Sequence, residues 1–342
     1  MRAIIVGAGP VGLYTATLAA LRGMDVTLFE ARAGDGDKAC GEGLMPSAVS
    51  ALKAIGVEPQ GRPFLGIRYL DATGQRQVRA DIGRGLGVRR TELVRELRDA
   101  VRSAGVETIH SRVTSVVQQH AAVTVTTEHG RYSADVVFGC DGLSSTVRQS
   151  AGLQGKAKGA RRYGLVDHFD VEPWSTDVEV YWGSSGEAYV TPVSEHEVGV
   201  ALLGRAGATF DDRLNELPAL RHRLAGSRRV GRTTGAGPLR RVATMPGRGR
   251  VMLVGDAAGY VDALTGEGLA VGLVGAQLAV EAASTGAFEE YPKAWIQATR
   301  RTRWSTDALV RSTQRLPLRR SLLPMASTLP GSFARAVRVA TS

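Results

Sequence analysis

The sequence predicts an α/β protein: a Rossmann-like dinucleotide-binding domain interleaved with a second domain built on an antiparallel sheet, and a basic, helical C-terminus. Three observations predict it. A short apolar strand runs into the glycine turn Gly7-Ala8-Gly9-Pro10-Val11-Gly12 and a helix of small residues. The stretch from 160 to 205 carries period-two patterning. The segment "GDAAGYVDALTGEG" at 255 to 268 again separates an apolar strand from an apolar helix.

In chain order, Ile4 to Val6 form a strand, residues 11 to 22 a helix, and Val26 to Phe29 a second strand ending at Glu30, a complete βαβ unit. Gly7 permits the turn, Gly9 lets backbone approach a pyrophosphate, and Gly12 lets helix and strand pack closely. The free N–H groups at the helix start, those of Val11 and Gly12 after Pro10, and the positive helix end would hold the phosphates, with Glu30 placed to accept from a ribose hydroxyl. Next come a loop, "GDGDKACGEGLMPSAV", a helix ending near Gly56, and a hairpin of Leu65–Leu70 with Val78–Ile82 around Thr73-Gly74. "GVRRTELVRELRDAVRSAG" is an amphipathic helix with Leu93, Leu97 and Val101 on one face, and a strand meander follows, closing on Val136 to Phe138 and the turn Cys140-Asp141-Gly142. Residues 160 to 205 make an antiparallel sheet, 210 to 226 a helix, 249 to 254 a strand, and "LAVGLVGAQLAVEAA" a helix apolar nearly all round and therefore buried.

The net charge of +10 sits largely at one end: nine arginines against Asp307 lie between Arg300 and Ser342. They interleave with Trp304, Leu309, Val310, Leu316, Leu318, Leu322, Leu323, Phe333 and Val337, as amphipathic basic helices would place them. A solvated face on packed helices is the first reading, and peripheral contact with an anionic inner-membrane face the second. Nucleic acid is set aside because no helix-turn-helix, zinc or aromatic-basic RNA signature accompanies the charge. The two cysteines, Cys40 and Cys140, lack metal-ligand spacing, and no signal peptide or uninterrupted run of about 18 apolar residues stands out, so a cytoplasmic setting without a metal is expected.

Taken in order, the Gly7-Xaa-Gly9-Xaa-Xaa-Gly12 turn with Glu30, Asp141-Gly142 in "GCDGLSSTVR", and Gly255-Asp256 in "GDAAG" resemble the FAD-dependent monooxygenases of the p-hydroxybenzoate hydroxylase type. Geranylgeranyl reductases and flavin-dependent halogenases share this framework. The resemblance implies a glutathione-reductase-like FAD domain of the GR2 type in residues 1–62, 85–155 and 240–290, a substrate domain in 63–84 and 156–239, and the basic region 291–342. It implies FAD as cofactor and NAD(P)H as transient reductant. Asp256 would accept from the ribityl hydroxyls, Gly266 and Gly268 would bare amides toward the isoalloxazine beside "ALTGEG", and Arg90 would reach the flavin side. Val113 would meet the adenine through its backbone, Arg32 the adenosine moiety, and Cys40 and Gly41 in "KACGEGLMP" would lie over the ring. Arg148 would hold the Asp141-Gly142 motif, and Cys140 stands where alanine is frequent.

Within this group, halogenation is disfavoured: Trp182 stands alone in "EVYWGSS" and residues 161 to 206 hold no lysine. Prenyl reductases resemble one another at a Tyr-Xaa-Trp-Xaa-Phe-Pro motif, of which Glu187-Ala188-Tyr189-Val190-Thr191-Pro192 keeps the proline and one aromatic. The resemblance therefore implies first a monooxygenase hydroxylating a hydrophobic phenolic or polyketide-like molecule with O₂ through a flavin C4a-hydroperoxide. A reductase of isoprenoid double bonds is the alternative. Met45, Tyr181, Tyr189, Pro192 and Leu264 are the expected pocket, and His168 in "LVDHFDV" is the candidate base, against the alternative of a satisfied strand residue. Monomer and homodimer both stay open.

Overall fold

Every residue of the strand Arg2–Val6 after Arg2 is buried, because the strand runs through the interior of a six-stranded sheet. In spatial order that sheet is Gly247–Arg248, Val251–Leu253, Val136–Gly139, Arg2–Val6, Asp25–Glu30 and Glu107–His110. Its pairings are parallel apart from the edge pair Gly247–Arg248 with Val251–Leu253. Strands covered on both faces read as continuous apolar runs, as "AIIV" and "VVFG" do. The structure, a computed structural model, describes residues 1–34, 37–159 and 161–313, with Pro324, Gly331 and Val337 as isolated positions. The tail positions Leu316, Leu318, Leu322, Leu323 and Phe333 lie outside the described residues.

Three helices pack with this sheet: Pro10–Leu21, the amphipathic Arg90–Ser103 with Leu93, Leu97 and Val101 buried, and Gly268–Thr285. Among the described residues, Gly268–Thr285 is the one helix long and apolar enough to cross a membrane. Here it is a core helix. Its Gly272 faces Val11 and its Gly275 faces Trp295 of the following helix, Tyr291–Thr313, so bare backbone is what allows three helices to meet.

A second, nine-stranded sheet runs in the order Arg228–Arg229, Arg162–Asp170, Glu197–Arg205, Glu187–Pro192, Val178–Trp182, Arg62–Asp71, Gln77–Gly87 and Gly43–Leu44, with Thr234–Ala236 also paired to Arg162–Asp170. The expected antiparallel sheet is corrected in one place: Val178–Trp182 runs parallel to Arg62–Asp71. No tight turn dictates direction there, since a long excursion through the first sheet separates the two strands. The expected hairpin is also longer, Arg62–Asp71 with Gln77–Gly87. "GRGLG" reads as loop but is strand, because a Cβ on Gly85 would fall 2.4 Å from the Phe64 ring and one on Gly87 1.9 Å from the Pro192 carbonyl oxygen. The helix expected over 210 to 226 divides into Phe210–Asn215 and Pro218–Arg223, since Pro218 supplies no N–H and disfavours helix in the residue before it.

Candidate functional site

The glycine turn separates two jobs. Gly7, at φ +103°, donates its N–H to the Phe29 carbonyl at 2.7 Å, and a Cβ on Gly12 would stand 1.8 Å from the Gly7 oxygen. These two glycines fix the fold. A Cβ on Gly9 would meet only Arg90 Nη2, at 3.8 Å, so its bareness serves space rather than packing. Glu30 turns its carboxylate onto the loop, accepting from the Ala8 and Arg32 N–H groups at 2.7 and 2.9 Å. A carboxylate has about four acceptor sites, so capacity for a hydroxyl remains. The Arg32 side chain is exposed, and Val113 is buried at the start of the meander strand Val113–Gln118, paired with Thr127.

Asp141 Oδ2 accepts from the Val147 N–H at 3.0 Å and fixes the start of the short helix Thr146–Ser150, whose cap is Ser145. Burial pushes the Asp141 carboxyl above its usual range, and its Oδ1 has no hydrogen-bond partner among the described residues. Arg148 is buried and donates to the carbonyls of Leu143 at 2.8 Å and Ala257 at 3.0 Å and to Gln154 at 2.8 Å. One guanidinium thus staples the Asp141-Gly142 turn to the Gly255-Asp256 turn. Burial raises the Asp256 carboxyl, while the charges of Lys38, Arg90 and Arg148 pull it back down. Burial likewise lowers the Lys38 ammonium, and the Asp256 charge opposes that shift. Lys38 Nζ stands 3.6 Å from where a Cβ on Gly142 would be. Two cations, two turns and the bare Gly9 backbone therefore surround one space, with Glu30 at its edge. Lys38 was not singled out from the sequence, although it is the one lysine in the loop "GDGDKACGEG".

The next loop joins the two sheets. Glu42 adopts φ +59°, its Oε1 accepts from the Arg90 N–H at 2.8 Å, and its Oε2 lies 2.7 Å from His168 Nε2. Thr191 Oγ1 donates to the Gly41 carbonyl at 2.7 Å, and a Cβ on Gly199 would crowd Glu42 Oε2 to 2.7 Å. His168 is only 6% exposed and committed to this strut, which is the satisfied-strand alternative rather than a free base. Cys40, half-buried, sits at the same loop, its Sγ accepting from the Glu42 N–H at 3.5 Å. Cys140 is a packing residue, its thiol pushed up to about 12 by burial.

On the face of the second sheet turned toward this loop, Met45, Tyr189 and Leu264 share one apolar cluster with Ile67, Val180 and Leu203. Tyr189 donates its hydroxyl to the Leu264 carbonyl at 2.6 Å, and Met45 Cε lies 3.1 Å from the Cβ position of Gly266. A Cβ on Gly268 would come 3.0 Å from the Tyr260 ring. Tyr181 is a correction: alternation puts it on the opposite face, bonded to Glu179 at 2.7 Å and packed with Phe210 and Leu217. Pro192 follows the alternation of Ala188 and Val190 and goes with Tyr181 rather than with the cleft. Two polar features of the cleft were missed. Arg162 is buried between Asp262, at 2.8 Å, and Glu187, with Asp262 pushed up to about 6 by burial. Glu267 is buried too, and its carboxyl is pushed up to about 7 by burial. The helix Tyr291–Thr313 closes the cleft with Leu309 and Val310, Thr306 Oγ1 standing 3.2 Å from Thr265 Oγ1.

Residues 1–282 match the family described as FAD binding domain. The chain belongs to this flavoprotein family. FAD is its cofactor, its class is oxidoreductase, and NAD(P)H is the reductant typical of the family. The chain is 28% identical over 342 aligned residues to the menaquinone reductase of Mycolicibacterium smegmatis, covering 85% of this chain and 78% of that one. It is 27% identical over 332 residues to the digeranylgeranylglycerophospholipid reductase of Methanosarcina acetivorans, covering 86% and 80%. Among solved structures, the flavin-dependent brominase Bmp2 superposes with a TM-score of 0.84 at 15% identity over 99% of this chain and 94% of that one, a likeness of fold.

Proposed function

We propose that this flavoprotein is a reductase that saturates a carbon–carbon double bond of an apolar, isoprenoid-like substrate, with NAD(P)H as the electron source. The carrying observation is the cleft itself: its wall is Met45, Ile67, Val180, Leu203 and Leu264, and the imidazole on the sheet, His168, is committed to Glu42. Such a wall binds hydrocarbon, and a phenol hydroxylase would want a free base there. The reductase relatives of comparable length support the same reading.

FAD fits the residues present. Gly9 offers unobstructed backbone, Lys38 and Arg90 offer positive charge for the pyrophosphate, Glu30 an acceptor for the ribose, and Asp256 an acceptor for the ribityl chain. When bound, the flavin supplies a two-electron carrier between nicotinamide and substrate. The chain's part is to hold and shield it: Arg148 fixes the two turns, the Glu42–His168 strut sets the loop 38–45 against the second sheet, and Leu309 and Val310 exclude water.

The second reading, hydroxylation of an aromatic or polyketide-like molecule, is favoured by Tyr69, Tyr189 and Trp182 in the same cluster, rings on which a planar substrate would stack. Anaerobic incubation with NADPH or NADH and a panel of polyprenyl quinones and polyprenyl lipids decides. A reductase yields products carrying two extra hydrogens without O₂. Turnover that stops without O₂, and oxygen uptake matched to hydroxylation of a phenol panel, would replace it with the second reading.

A further inference from the structure

We propose that Glu267 is the proton donor of this reaction, a catalytic acid facing the substrate from the start of the glycine-rich helix; the proposal rests on the reductase reading above. Glu267 is 6% exposed, and its Oε2 has no hydrogen-bond partner among the described residues. Its setting is the cleft: Met45 crowds Gly266 on one side of it in sequence, the Tyr260 ring crowds Gly268 on the other, and the Tyr69 hydroxyl on the cleft strand feels its charge.

Other buried carboxylates in this chain take cations or neutral donors: Asp177 takes Arg68 and Arg79, Asp262 takes Arg162, and Glu179 accepts from Trp174 and Tyr181. Glu267 is held by the Thr265 hydroxyl and has no salt bridge among the described residues. A buried carboxyl left in that condition is a strained and costly way to build a turn, but a suitable way to keep a proton in an apolar site. The ionisable groups around it, Tyr69 and Tyr260, are both pushed above the ordinary phenol range by burial, so neither titrates beside it near neutrality. Burial holds the Glu267 carboxyl at about 7, which leaves a protonated fraction at working pH.

The step balances without another participant. Bound and reduced, FAD would supply a hydride to one carbon as the substrate π bond breaks, being oxidised in turn, and Glu267 would give its proton to the neighbouring carbon. The Glu267 carboxylate then recovers a proton from water.

Glu267→Gln keeps shape and removes the acid. Turnover of the reducible polyprenyl substrate should fall about a hundredfold or more, with FAD affinity and the rate of flavin reduction by NADPH unchanged. The wild-type rate should decline as pH rises through the neutral range and that of E267Q should not. In the flavin-free protein, difference infrared spectra of wild type against E267Q should show a protonated carboxyl band that persists to near-neutral pH. Wild-type turnover retained in E267Q with the same pH profile, or a carboxyl band already lost at about pH 5, the ordinary carboxylate range, would overturn the proton-donor role alone. A wild type that reduces no member of the panel defeats the reductase reading and this proposal with it.

Discussion

Gly9→Ala should weaken cofactor binding while leaving the fold intact, and Gly12→Ala should damage both. Gly9 stands at φ −73° and ψ 174°, a conformation open to any residue, and its new Cβ would find only Arg90 Nη2 at 3.8 Å. The expected cost to the flavin-free protein is therefore that of a poorer helix cap, about 1 kcal/mol or less. A methyl group there stands where a phosphate must reach bare peptide N–H groups; charge-assisted hydrogen bonds contribute about 1.5–3 kcal/mol each, so losing one or two weakens FAD by roughly a hundredfold. At Gly12 the Cβ would lie 1.8 Å from the Gly7 oxygen and 3.1 Å from Cys140 Cβ. Backbone oxygen cannot rotate away as a side chain can, so helix and strand must separate by more than about an ångström, at a cost at or beyond the roughly 1–3 kcal/mol typical of overpacking. Urea unfolding of the apoproteins gives the stability term, and quenching of flavin fluorescence on titration gives affinity. Wild-type FAD affinity in Gly9→Ala, or wild-type stability in Gly12→Ala, would refute the division of labour drawn from these distances.

Other consequences are equally open to measurement. Glu267 has a folded pKa raised from 4.5 to about 7; the native state keeps its proton where the unfolded chain has released it, so wild-type stability is lost as pH climbs from about 4.5 to 7. E267Q should therefore match the wild type near pH 4.5 and exceed it by up to about 3 kcal/mol above pH 7, and parallel melting curves across that range would contradict this. Arg148→Leu should cost about 3 kcal/mol or more by urea unfolding, because the carbonyls of Leu143 and Ala257 lose their buried donor; Arg148→Lys should not recover it, since one ammonium cannot reproduce the fork. His168→Gln should lower stability by about 1 kcal/mol by removing the bond to Glu42 without changing the shape of the activity–pH profile, whereas loss of an acidic limb would restore His168 as a base. Tyr189→Phe should loosen the turn at Leu264, read as a higher KM with flavin affinity unchanged.

What the sequence made legible is the part of the fold whose chemistry is local. A strand, a glycine turn and a helix lie within twenty residues, so Gly7, Gly9, Gly12 and Glu30 announce one another, and Arg148 lies seven residues from the Asp141 turn it secures. Tyr181 was misplaced for a different reason. Its period-two pattern shows that two faces exist, but both are buried, one under the helices Phe210–Asn215 and Pro218–Arg223 and one against Met45 and Leu264, so hydrophobicity carries no sign of which face is the cleft. The Glu42–His168 bond spans 126 positions and the Arg162–Asp262 bond 100, distances over which one sequence offers no pattern. The helix Tyr291–Thr313 was read by its arginines, yet Tyr291 and Trp295 anchor it in the core and Leu309 and Val310 face the cleft, while Trp304 is 73% exposed.

That asymmetry bears on how such a framework changes substrates. The cofactor side is held by backbone turns and by Arg148 bonding to carbonyls, groups that tolerate little variation, since a Cβ at Gly7 or Gly12 meets backbone within 3 Å. The cleft side is held by side chains on a sheet whose register survives their replacement. At the prenyl-reductase motif, this chain carries Glu187 where that motif has tyrosine, and its carboxylate shares the Arg162 guanidinium with Asp262, three residues from separate segments that must be present together. A buried charge at that wall without its partners would be far costlier than the aromatic it stands for. Glu187→Tyr alone should therefore destabilise the protein by removing one of the two buried acceptors of Arg162, and only with a neutral residue also at Arg162 and Asp262 should the cleft accept a wholly apolar chain in that corner. If the single Glu187→Tyr variant proves as stable as the wild type, the triad is not what sets the shape of this end of the site.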